Sequence, residues 1–169
     1  MGLALALSYV IHVVSAGFWT GGTLFVAYAI LPAAEEGDLS AAAFERNVDG
    51  LLGVTRWTGL ALPATGAYQI WVLYPLPRLV GTTAGHLVLG MLGLWGVMNT
   101  LIELGGYRMR AAGREAPGLG AYMAEGFVLG ADADVARHAT VGRPYLLAAA
   151  GLAVLLLADA ALLAAGIVR

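Results

Sequence analysis

MGLALALSYVIHVVSAGFWTGGTLFVAYAILPAA, residues 1–34, contains no Asp, Glu, Lys or Arg. As an α-helix rising 1.5 Å per residue, such a stretch reaches roughly 45 Å, more than the about 30 Å of a bilayer's hydrocarbon core. We read residues 3–32 as a transmembrane helix. His12 lies well inside that span. An imidazole is costly to leave unpartnered there, so by default it marks a functional site.

The rest of the chain has the same character. Hydrophobic residues make up 60% and charged residues 12%, against about 25% charged in soluble domains. Mean hydropathy is +0.79. An integral membrane protein is therefore expected, with the lipid bilayer as partner. Cys is absent, which excludes disulfides, thiolate metal sites and covalently attached c-type haem. All nine cationic side chains are Arg and none form a basic run, so nothing points to nucleic acid. The first residues lack the positive segment of a signal peptide, and the apolar run is longer than one, so a retained helix is expected.

Three further apolar segments follow. Residues 51–74 carry Arg56 as their only charge; residues 82–107 have His86 near the start and Glu103 near the end; residues 145–168 carry only Asp159. Each is long enough to span. The fold expected is all-α, a four-helix transmembrane bundle forming a single domain over residues 1–169. Residues 33–49 are a polar, acidic link with Ser40 as a cap for a short helix. Residues 75–81 form a tight turn around Pro75, Pro77 and Arg78. The longest connection, 108–143, has room for a short surface helix. Arg46, Arg108, Arg110, Arg114, Arg137 and Arg143 share one face, against Arg78 and Arg169 on the other. Excess Arg marks the cytoplasmic side. The 108–143 connection is thus expected inside, both termini outside, and the protein multi-pass in the cytoplasmic (cell) membrane.

At 100° per residue, Ser8, His12, Ser15, Trp19 and Gly22 share one side of the first helix, and His86, Gly90, Gly93, Asn99 and Glu103 one side of the third. Small residues on those sides admit a neighbouring helix or a flat cofactor. Depth counted from the helix ends sets His12, His86, Asp159 and Gln69 in the outer half, where they are expected to converge with Ser15 and Trp19 in support. Arg56 and Glu103 fall at one depth nearer the inner surface and form a candidate buried ion pair, because an unpaired charge there costs about 3 kcal/mol or more. His138, near Asp132 and Asp134, is a weak metal-like pattern in a solvated loop.

Imidazole binds copper, zinc or haem iron, with carboxylates completing such sites. Two histidines on parallel helices suit the axial positions of a b-type haem, and a His/Asp pair relays protons. Three readings stay open: a copper ion at His12, His86 and Asp159; haem b between His12 and His86; a non-catalytic scaffold subunit whose polar cluster fixes helix packing. No hydrolase or transferase constellation is visible.

The segment His12-Val-Val-Ser15-Ala16-Gly17-Phe-Trp19-Thr-Gly21-Gly22 resembles the first helix of the CopD-like copper resistance membrane proteins in its histidine, tryptophan and Gly-Gly. Residues 56–66, ending in Ala64-Thr65-Gly66, look like that family's second helix, and residues 85–110, ending in basic residues, like its third. The likeness covers most of the chain, but only the first-helix motif is distinctive, and only His12 carries over as a site residue. It implies copper uptake or homeostasis at the cytoplasmic membrane and a periplasmic or extracellular copper-binding partner. A lysine of the family's third helix has no counterpart here; Met91 falls near its place. A more distant likeness, to the four-helix haem membrane proteins of the protoporphyrinogen oxidase type, implies haem. A pathway within four helices of one chain is narrow, so transport also implies a homo-oligomer.

Overall fold

A computed structural model describes residues 2–112 and 116–166; Arg114 and Arg169, counted above toward orientation, lie outside them. Among the described residues there are helices and no strand. Helix α1 covers Leu3–Glu35, α2 Ala41–Leu73, α3 Leu76–Gly81, α4 Thr83–Ala111, α5 Leu119–Glu125 and α6 Val135–Ala164. Three of them, α1, α4 and α6, are long and apolar enough to cross a membrane. Helix α2 is as long as α1, but from residue 51 onward Arg56, Pro63, Gln69 and several Thr and Gly residues lower its hydropathy.

Two helices start well before their apolar segments do. Helix α2 opens about ten residues ahead of residue 51, and α6 ten ahead of residue 145. The cause is local chemistry. Ser40 Oγ accepts the Ala43 N–H at 3.2 Å and Asp134 Oδ1 accepts the Arg137 N–H at 3.1 Å, each satisfying a donor that a helix start leaves orphaned. Hydropathy locates where a helix can meet lipid, whereas the cap locates where it begins. His138 consequently stands on α6, 4% exposed, and not in a solvated loop. Within α1 the turn Val26–Ile30 is π-helical, with the Leu31 N–H bonded to Val26 O. Pro32 follows at once, and its ring and missing N–H disturb the preceding turn of any helix that continues through it.

Helices α1 and α2 pack along their length, as do α4 and α6. Gly22 with Leu51 and His12 with Gly66 show that α1 and α2 are antiparallel, as Gly105 with Tyr145 and Met109 with Gly142 do for α4 and α6. The end bearing the link between α1 and α2 and the connection from α4 to α6 is the strap end. Its core contains Trp19, Leu31, Phe44, Leu52, Ile102, Met109, Tyr122, Phe127 and Leu146. Packing thins toward the opposite end. Before Trp19 only Leu5, Ser8 and Ser15 of α1 are buried, and beyond Ala153 no described residue of α6 is.

The α4–α6 seam needs bare backbone. A Cβ on Gly105 would stand 2.9 Å from Tyr145 Cβ, and one on Gly142 would overlap the Met109 side chain, itself 1% exposed. Overpacking of this kind costs about 1–3 kcal/mol. Gly142→Val is expected to lower the melting temperature in detergent, with Gly93→Ala unchanged or slightly higher because its Cβ meets nothing within 4 Å. Equal melting temperatures for the two variants would refute the tight seam.

Candidate functional site

A polar strip joins α1 to α2 at the loosely packed end. The ring Nδ1 of His12 lies 2.7 Å from Thr65 Oγ1. The same hydroxyl donates to its own helix, to Ala61 O at 2.6 Å, with Leu62 O at 3.1 Å. A hydroxyl has one hydrogen and two lone pairs. That hydrogen is committed to Ala61, so Thr65 Oγ1 accepts from His12 Nδ1–H. The imidazole is thereby held in the tautomer whose Nε2 carries the lone pair. No protein hydrogen bond to Nε2 is present among the described residues, and the ring is half-buried. Gly66 faces the ring, where a Cβ would make an ordinary contact of 3.4 Å with His12 Cε1. One turn earlier on α1, Ser8 donates to Thr65 O at 3.2 Å and accepts from Gln69 Nε2 at 3.2 Å. Ser15, one turn later, is buried.

The other residues expected in this cluster make no hydrogen bond to His12 among the described residues. His86 is exposed, and its Nε2 pairs with Val80 O at 2.9 Å, tying the start of α4 to α3. His12 and His86 share no hydrogen-bond partner. Asp159 is half-buried with Oδ1 enclosed and unpaired. Trp19 is 1% exposed, and its indole Nε1 likewise lacks a partner. No group of three His, Cys, Asp or Glu residues stands ready to hold a metal ion among the described residues.

Nearer the strap end, Arg56 donates Nε to Glu103 Oε1 at 2.8 Å and Nη2 to Oε2 at 3.0 Å. This two-point contact bridges α2 and α4. Tyr122 of α5 covers it: its hydroxyl donates to Glu103 O at 3.2 Å, and the Arg56 guanidinium carbon lies 5.3 Å from the ring centroid. Burial, with the charge of Glu103 adding to it, pushes the Tyr122 phenol well above its usual range, so it remains a neutral donor.

Beyond α5 the chain is strapped across α2 by backbone bonds. Asp49 Oδ1 accepts the Phe127 N–H at 3.1 Å and Glu45 Oε2 accepts the Leu129 N–H at 2.7 Å. Arg110 donates to Gly126 O at 2.7 Å and pairs with Glu125. Gly126 has φ +75°, and a Cβ there would strike the Asp49 carboxylate. His138 Nδ1 lies 2.5 Å from Met109 O, fastening α6 to the end of α4.

No family model, curated protein or solved structure matches this chain. Function therefore has to be argued from the chemistry above. Thr65 was open to discovery in the sequence, as a hydroxyl at the depth of His12 on an antiparallel neighbour. Tyr122, Asp49 and Glu45 carried no such signal.

The side chains of Arg56 and Glu103 are 26% and 23% exposed, so removing one partner is expected to cost near the lower end of about 3–5 kcal/mol. A double-mutant cycle with Arg56→Met and Glu103→Met, read by thermal unfolding in detergent, should find the double variant more stable than either single one. Additive losses would contradict the pairing.

Proposed function

We propose that the chain is an integral membrane protein of the CopD-like kind, a four-helix membrane bundle with both termini outside, which handles copper ion as cargo. His12 Nε2 is the coordinating atom. The observation that supports this reading is the contact at Nδ1: Thr65 Oγ1 lies 2.7 Å from it and 2.6 Å from Ala61 O, an arrangement that favours a proton on Nδ1 and a lone pair on Nε2. A metal-ligating histidine is set up by such a bond on its second nitrogen. A lone imidazole beside hydroxyl and amide groups suits brief coordination better than storage. The remaining ligands come from a copper-delivering partner outside the cell membrane or from a second copy of the chain.

The apolar faces of α1, α4 and α6 support the bilayer location. The Arg excess on the strap end supports placing that end in the cytoplasm. His12 then lies in the outer half, where cargo arriving from outside first meets the bundle.

Copper(I) binding by the detergent-purified chain, followed by titration against a chromogenic chelator, tests this. His12→Ala should abolish binding, and Thr65→Val should weaken it about 10- to 100-fold, the usual effect of removing a ligand's supporting hydrogen bond. Unchanged binding by well-folded His12→Ala would overturn the proposal. Loss of thermal stability in that variant, with no copper binding by the parent, would favour a scaffold subunit in which His12 serves packing.

A further inference from the structure

A groove of about 340 Å³ runs between α1 and α2 on the face outside the core. It is lined by Phe18, Gly22, Phe25 and Val26 of α1 with Gly50, Leu51 and Val54 of α2. It runs from Phe18 to Val26 of α1, about 12 Å at 1.5 Å per residue. Phe18 and Phe25 are 65% and 56% exposed at its rim. Arg46 and Asn47 close the end nearest the strap.

Arg46 distinguishes this groove from an ordinary lipid-facing furrow. It is exposed, and no carboxylate stands within ion-pair distance of it among the described residues. Its acidic neighbours Glu45 and Asp49 share a separate pocket with it on the strap side, where they accept the Leu129 and Phe127 N–H groups. The Asn47 amide is turned back to Ala43 O. A single unpaired guanidinium thus caps an apolar channel that ends at the polar margin of α1 and α2. The π-helical turn of α1 begins at Val26, on the groove's wall at the Arg46 end.

We propose that this groove binds an anionic phospholipid, with one acyl chain lying along Phe18, Gly22 and Val54 and the phosphate on Arg46. The occupant follows from charge complementarity and shape together. Guanidinium matches phosphate oxygens in a planar, two-point contact, and the 12 Å apolar channel takes an extended hydrocarbon chain. Gly50 keeps the channel open: a Cβ there meets nothing within 4 Å. A leucine at that position would fill the channel without straining the helix.

The test is native mass spectrometry of the full chain in detergent with phosphatidylglycerol and phosphatidylcholine of matched acyl chains. The parent should retain the anionic lipid about fivefold over the zwitterionic one, the ratio given by about 1 kcal/mol per basic residue at an anionic surface. Arg46→Gln should bring that ratio to about one. Gly50→Leu should lower retention of both lipids while leaving the melting temperature unchanged. An undiminished ratio in Arg46→Gln, or parent-level binding of both lipids by Gly50→Leu, would overturn the proposal. So would a dimer whose interface occupies the groove. Copper binding plays no part in this readout, so its outcome is independent of the His12 proposal.

Discussion

Inside an apolar span there is no water to satisfy a polar group, so leaving one without a partner in the protein is costly. Much of this structure follows from that constraint. Thr23, Thr58, Thr65, Thr100 and Thr140 return their hydroxyl hydrogens to carbonyls four residues back on their own helices. Such hydroxyls keep a lone pair facing outward. Only Thr65 of these offers that lone pair to a histidine, and that turns a routine internal bond into a device that selects the His12 tautomer. The same constraint pairs Arg56 with Glu103 and leaves His138 on Met109 O.

The two ends of the molecule divide the work. At the strap end, bare glycine backbone lets α4 and α6 interlock, α5 seals the Arg56–Glu103 contact, and carboxylates of α2 bind the strap's backbone. Another ion pair, Arg143 with Glu35 at 2.5 Å, fastens α6 to the end of α1. At the opposite end the pairs α1–α2 and α4–α6 share little buried surface. The His12 strip is held there by α1 and α2 alone, on a scaffold anchored from the far side. A rigid base with a looser, polar-lined end fits a protein that receives something from that end.

Part of this was legible in the sequence. A 34-residue run without charge read as a long apolar helix, and Ser40 as a cap, though the helix it caps is the long α2 and not a short one. The reach of the helices beyond their apolar stretches was harder. Residues 135–144 are polar on average, yet one side of that turn faces the core, so composition placed His138 in a loop and the structure places it on α6. Depth counting set Arg56 level with Glu103 because it counts from the edge of each apolar stretch, which stays put where the helix runs on beyond it. It could say nothing of the strap, where side chains bind backbone N–H groups and any residue identity would offer the same donor. Nor could it foresee His86 turning to Val80 O, a bond made possible by the short α3 preceding it.

The tautomer of His12 is the point on which the functional reading turns. Its measurement is a 15N spectrum of the full chain in detergent, labelled at histidine only, with the His12 signals assigned by their absence in His12→Gln. A protonated Nδ1 and an unprotonated Nε2 at neutral pH are predicted, with Nε2 the nitrogen that moves when a monovalent soft metal ion is added. A proton on Nε2, or an Nδ1 signal that Thr65→Val leaves untouched, would contradict it.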